Sequence, residues 1–331
     1  MRTKKSIFLP AAVIGLCLCA GPAPGQEFLV VGEKVSGSIG FYTPDGKRTA
    51  SVPVGKHPHE LALSPDGRLA YSTDNGILWM TDAGEGGNTI SVLDVHKQRK
   101  VGVIDLGKFR RPHGIDVDRR TGHLVVTVEN PDGLLLIDPV QKKVLRNYDV
   151  KGKAPHMVRL DPRGEWAYAS NTNTNTVAAV NLESGEVKLI PTDERPQGGA
   201  FSHDGKLLYL TNSNGNSISI IDAVQKQRVG TIPTGRGPGR IALTPDGSLL
   251  VYNLQAGEAI GFADPKTRNE ITRVSLGGPP LSMHLSEDGE RAYLGVQSLD
   301  KIYVVSVRLR KVMRVLDTAK GSGPDAVLEI R

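Results

Sequence analysis

The chain has 331 residues, 38 of them glycine and 21 proline, with 39% hydrophobic and only 5% aromatic content. That composition supplies many short strands sharing cores, and it excludes large-scale disorder or low complexity. The formal charge of +6 includes Arg2, Lys4 and Lys5 near the amino terminus. Without a basic run or an aromatic platform, so mild a charge excludes nucleic acid as a partner.

The first 25 residues read as a secretory signal, with Arg2, Lys4 and Lys5 as the charged start. The apolar stretch Ile7 to Ala20 is too short for a comfortable membrane span, and Ala23-Pro24-Gly25 places small residues before a cut ahead of Gln26. Export to the periplasm or the medium is therefore expected, with no membrane span after cleavage. Both cysteines, Cys17 and Cys19, lie inside this segment. The mature chain would hold no disulfide, no thiolate nucleophile, and no cysteine-based zinc or haem site.

From residue 28 to the end the sequence repeats. Prolines 58, 112, 155, 196, 238, 280 and 324 are separated by 54, 43, 41, 42, 42 and 44 residues. Each opens a unit of four alternating strands, and a period near 42 with alternation rather than 3.6-residue periodicity denotes a propeller blade. The expected domain is thus a seven-bladed, all-β propeller over residues 26–331, with four antiparallel strands per blade. The seventh unit is split. Ala326–Ile330 must join Phe28–Val31, Ser38–Tyr42 and Arg48–Val54 to close the ring and remove a free edge. Turns such as Ser64-Pro65-Asp66-Gly67 and Thr244-Pro245-Asp246-Gly247 suit tight hairpins, so their aspartates are structural.

The units resemble the YVTN-repeat β-propellers, through Tyr209-Leu210-Thr211-Asn212 and Tyr168-Ala169-Ser170-Asn171. That resemblance covers nearly the whole mature chain and implies a fold shared with periplasmic and surface-layer proteins. Blade two, with Pro112-His113-Gly114-Ile115 and Val125 to Asn130, also resembles the streptogramin-lyase repeat distantly, without its aromatic pair. Lactonase propellers are related in the same distant way. A shared fold carries no chemistry with it.

Two positions in each unit should face one mouth of the channel. The residues after the leading prolines are His59, His113, His156, Gln197, Gly239, Leu281 and Asp325. Those ending the second strand, counted seven past the turn glycine, are Asp74, Glu129, Asn171, Asn212, Leu254 and Val296, with Glu33 as the blade-seven equivalent. The expected mouth is lopsided, polar on blades seven and one to four and smooth on five and six. Such convergence is the ordinary signature of a binding site. Its expected ligand contacts are His59, His113, His156, Asp74, Glu129, Asn171, Asn212, Glu33 and Trp79. Trp79 belongs to an insertion in blade one, Asn75 to Gly87, which is either a cover for the ligand or a loop folded onto its own blade.

Three histidines in register admit two readings. They pack beside their prolines and bond backbone carbonyls, or they work as a cluster. In the second reading His59, His113, His156 and Glu129 are candidate ligands of a divalent metal ion, and His113 and Glu129 are candidate catalytic groups. His57, His96, His123 and His203 read as solvated; His284, Arg159 and Arg240 are candidates for the channel wall. No nucleophile elbow, phosphate loop or dinucleotide fingerprint is present. The leading expectation is a monomeric binding or scaffold protein whose partner is a small molecule, a peptide or a protein. The alternative is a metal-assisted lyase or lactonase; a redox or haem role ranks last.

Overall fold

A computed structural model describes residues 27–331, and the signal-peptide reading of residues 1–25 falls outside them. Seven four-stranded antiparallel sheets form the blades of a propeller. The closure is the expected one. Pro324–Ile330 pairs antiparallel with Phe28–Glu33, setting Phe28 opposite Ile330 and Val30 opposite Leu328. The two ends of the described chain are thereby held in one sheet, with no exposed edge between the first and last blade.

The apolar core is divided into seven clusters, each shared by two neighbouring blades. Tyr71, Ile90 and Ile104 of blade one, for example, pack on Ile115, Val126 and Leu135 of blade two. Strand alternation explains this, because each blade has two faces and each face needs a neighbour. The outermost strands are accordingly half-exposed, as in Arg99–Asp105.

The Tyr-x-Thr-Asn pattern has a separate task for each polar position. The hydroxyl crosses to the next blade. Thr73 donates to the carbonyl of His113, Thr127 to that of His156 at 2.6 Å, Ser170 to that of Gln197, and Thr211 to that of Gly239. Asn253 does the same for Pro280. The following Asp or Asn turns the other way, into its own blade. Asp74 accepts from Thr89 and Ser91, Asn212 donates to Ser217 and Ser219, and Asn171 donates to Thr176 and also to the Val150 carbonyl in the connection from blade two.

Opposite each of those hydroxyls the inner strand carries a β-bulge. Pro58 pairs with Asp74, yet Leu61 pairs with Ser72, so His59 and Glu60 together face Thr73. The same shift sets His113 and Gly114 against Thr127, and His156 and Met157 against Ser170. Gln197–Gly198, Gly239–Arg240 and Asp325–Ala326 repeat it in blades four, five and seven. A bulge re-aims side chains and often flanks a functional site. Here it gives every bulged blade two slots at the mouth, pointing in different directions.

Candidate functional site at the channel mouth

The first bulge slot brings the three histidines together as the sequence predicts. Their rings form a layer, His59 to His113 at 3.8 Å and His113 to His156 at 3.8 Å between centroids, tilted by 44° and 49°. His113 is the middle ring and is only 2% exposed. Burial pushes all three imidazoles well below the usual histidine range; Lys34 adds to this at His59, as His59 and then Arg240 do at His113. They are therefore neutral near pH 7.

Each ring has a different set of partners. Nδ1 of His113 lies 2.9 Å from Oε1 of Glu129. A carboxylate there accepts a hydrogen bond from Nδ1–H, which keeps the ring proton on Nδ1 and leaves Nε2 with a free lone pair. Burial pushes the Glu129 carboxyl up to about 7, against the opposing pull of Arg111. Nε2 of His59 lies 2.8 Å from the Lys34 ammonium, so it accepts. Lys34 also pairs with Asp325 at 3.1 Å. Nδ1 of His59, Nε2 of His113 and Nδ1 of His156 are all buried and make no hydrogen bond among the described residues. Buried polar atoms without partners are uncommon, and each calls for a ligand, water or ion.

The second bulge slot closes the channel. Arg240 of blade five reaches across to Glu60 of blade one, and its Nε and Nη2 both bond Oε1. Above this ion pair the mouth holds a chamber of about 610 Å³. Its wall includes Lys34, His59, His156, Arg195, Gln197 and Asp325, with Leu281 and Pro279 opposite. The insertion of blade one covers it, since Leu78, Trp79 and Met80 all line the chamber. Lys34 lies 5.6 Å from the Trp79 ring centroid, and Met80 Sδ is 3.8 Å from Arg195 of blade four. The cover is pinned at its far side, where Arg111 donates to the carbonyls of Asp82 and Gly84 at 2.9 and 2.7 Å. At its base Gly76 has φ +80, and a Cβ there would meet Gly87 N at 2.0 Å. Only glycine lets the two ends of the loop cross so closely.

The strand-two reading needs correction. Glu33, Asp74, Asn171 and Asn212 do not line the chamber. Glu33 bonds Ser38 and Arg48 inside its blade, and the other three point outward as described above. Glu129 does reach the site because it is not their equivalent. Blade two has its turn glycine one place later, so Val128 pairs with the leading Pro112 and Glu129 is the next residue. A one-residue step along a strand turns the side chain to the other face. The mouth-facing set is thus Lys34, Asn75, Glu129, Thr172, Ser213, Gln255 and Gln297, of which Lys34, Ser213 and Gln255 line the chamber. The smooth arc is also less smooth than expected, since blade five supplies Arg240, Gln255 and Glu258. His203 is exposed and His57 partly so, in line with the solvated reading, and each also bonds a backbone carbonyl, Nδ1 of His57 that of Lys34 at 3.0 Å and Nε2 of His203 that of Thr244. His284 is half-buried on the inner strand of blade six, with Arg159 near it. Glu60 was missed, although a charged residue beside a bulge histidine is a readable signal, and Lys34 was missed because the count stopped one residue short of it, at Glu33.

No protein-family model matches the sequence, and no curated protein does. Solved structures match its shape. The Pseudomonas aeruginosa periplasmic gluconolactonase aligns with TM-score 0.73 at 16% identity, over 92% of this chain and 99% of that one. A functionally unknown protein from Desulfotomaculum acetoxidans aligns with TM-score 0.76 at 15% identity, over 92% and 99%. Kuenenia stuttgartiensis hydrazine synthase aligns with TM-score 0.68 at 17% identity, over 83% and 95%. At such identities the likeness shows the fold, and the chemistry must be argued from this chain's own residues.

Proposed function

We propose that this chain is an exported β-propeller that binds a small polar molecule in the chamber at its histidine-bearing mouth. The observation that carries the reading is the covered chamber itself. Its volume of about 610 Å³ falls within the range of small-molecule sites. One side offers Lys34, Arg195, Gln197 and Arg240 for hydrogen bonds; the cover offers Trp79 and Met80 as apolar surface. A peptide or protein partner would need a broader surface than this cover leaves. Export rests on the basic, apolar start of the sequence and accords with the periplasmic gluconolactonase among the fold's relatives. No helix among the described residues is long and apolar enough to cross a membrane.

The test is a screen of sugar acids, lactones and amino acids against the purified chain, read by Trp fluorescence and thermal shift. Only Trp79 and Trp166 contribute to the fluorescence signal. A ligand in the chamber shifts the emission of the wild type and not that of Trp79→Phe. A saturable ligand whose affinity is unchanged by Trp79→Ala and Arg195→Ala together places binding elsewhere and refutes the reading.

A second reading, an enzyme of metal-assisted lyase or lactonase type, is favoured by the His113–Glu129 pair beneath the chamber. A carboxylate that orients an imidazole and leaves its Nε2 free is the arrangement of a general base or a metal ligand. Turnover of a chamber ligand, lost in His113→Ala, is the result that selects it.

A further inference from the structure

We infer that the imidazole layer is a metal site, in which Nδ1 of His59, Nε2 of His113 and the Glu60 carboxylate take one divalent transition cation with its open position towards the chamber. The second reading above names the same histidine and leaves its ligand set unassigned. The site stands whether or not the chamber also takes an organic molecule.

Three observations carry it. One ligand atom from each of His59, Glu60 and His113 lies within 4.8 Å of the others. Nδ1 of His59 is 3.7 Å from Oε1 of Glu60. A cation at ordinary bond lengths of about 2.0–2.2 Å draws such donors together by modest side-chain shifts. Next, the two nitrogens are buried and unpartnered among the described residues. No described side chain or backbone group satisfies them, and a cation would. Last, His113 has the support expected of a metal ligand. Its other nitrogen is held by Glu129, which fixes both the tautomer and the ring plane. Glu60 is likewise held, by Arg240, whose two donors bond Oε1, the same oxygen that lies 3.7 Å from His59; the carboxylate would turn to offer the cation Oε2, which has no hydrogen bond among the described residues.

Donor type selects the ion. Two imidazole nitrogens and one carboxylate oxygen suit Zn²⁺ or Co²⁺ over the oxygen-seeking Ca²⁺ and Mg²⁺. Three protein ligands leave a fourth place for water or a chamber ligand. His59 also lines the chamber, so that place is on the accessible side.

Lys34 sets a cost on loading. Its ammonium holds Nε2 of His59 as an acceptor, which puts the ring proton on Nδ1. Metal binding at Nδ1 moves that proton to Nε2, and Lys34 then keeps only Asp325, already its partner. Lys34 is therefore a competitor of the cation, not a ligand. This distinguishes the site from any general histidine affinity for metals, because removing one cation should strengthen binding of another.

The experiment uses tag-free protein beginning at Gln26, and so without Cys17 and Cys19, stripped by chelator. Zn²⁺ stoichiometry is measured by elemental mass spectrometry, and Co²⁺ is titrated as a spectroscopic probe. The expected result is one equivalent per chain and a tetrahedral Co²⁺ visible band. His113→Ala and Glu60→Gln each weaken Co²⁺ binding at least 100-fold, Glu129→Gln weakens it about 10- to 100-fold, and Lys34→Met tightens it. Circular dichroism and thermal melts of the stripped proteins check that each variant folds; His113→Gln replaces His113→Ala if the latter does not. Less than one-tenth of an equivalent in the wild type overturns the proposal. So does Co²⁺ affinity unchanged in both His113 and Glu60 variants, or a Lys34→Met variant that binds more weakly. Trp79 fluorescence titrations in excess chelator then report the chamber alone, so loss of the metal site and loss of organic-ligand binding are read separately.

Discussion

Blades two and five share one backbone and invert its use. In blade two the first bulge slot holds His113 and the second Gly114; in blade five the first holds Gly239 and the second Arg240. A Cβ on Gly114 would lie 2.6 Å from the His156 carbonyl oxygen, so blade three leaves no room for a side chain there. Blade five has that room, and Arg240 uses it to cross the channel to Glu60. The difference teaches that the bulge is the unit of function. One slot builds the imidazole layer, the other closes the channel, and blade one alone fills both with polar side chains, through His59 and Glu60.

The sharpest way to break the comparison is to remove the cross-channel partner. Arg240→Met leaves the Glu60 carboxylate poorly paired, and the expected loss is about 3 kcal/mol in denaturant unfolding, near the lower end for a buried pair. The double variant Arg240→Met with Glu60→Met should recover most of it. A single variant losing under about 1 kcal/mol would show that water already serves that carboxylate.

His284 tests the channel below the layer. Burial, with Arg159 nearby, pushes its imidazole down to about 4. The unfolded chain protonates this side chain near its ordinary value of about 6.5 while the folded chain does not. Its contribution to stability is therefore present above pH 6.5 and is lost as pH falls towards 4, by about 3 kcal/mol in all. Between pH 7 and 4 the wild type should lose about 3 kcal/mol more unfolding free energy than His284→Gln. Parallel curves would show that His284 is reached by solvent.

The inter-blade hydroxyls sharpen the contrast from the other side, because they should matter equally in both kinds of blade. Thr127→Val strips the His156 carbonyl of its donor, and Thr211→Val does the same to Gly239. Each should cost about 2 kcal/mol, the penalty for a buried group left unpaired. If only the blade-two variant were destabilised, the hydroxyl would serve the histidine rather than the propeller.

The smallest effect on stability belongs to the cover. Trp79 is 45% exposed, so Trp79→Ala should change unfolding by less than about 0.5 kcal/mol. It should instead weaken a chamber ligand several-fold in a fluorescence or calorimetric titration. A large stability loss with unchanged binding would make the insertion a brace and not a lid.

Several of these features were legible beforehand. Proline spacing and strand alternation are local signals, and they gave the seven blades, the split seventh blade and the histidine arc. The insertion was recognisable by length, but its choice between covering the mouth and folding on blade one was not. The strand-two residues failed for a physical reason. Glycine marks a turn only to within one residue, and one residue inverts the facing of a strand, so Glu129 was grouped with Asp74 when its true counterpart is Asn75. Lys34 escaped for the same reason, one step past Glu33.

The sequence by itself determined what nearest neighbours determine: strand and turn alternation, the repeat, the pairing of the two chain ends, and which residue types follow each proline. The tertiary structure alone decided which of these meet. Arg240 and Glu60 are 180 residues apart, and Lys34 and Asp325 are 291 apart. No local pattern links such pairs. Lys34 meets Asp325 because the split seventh blade joins the two chain ends, and Arg240 meets Glu60 because the ring sets blade five across a narrow channel from blade one and a bulge, invisible in composition, aims both side chains inward.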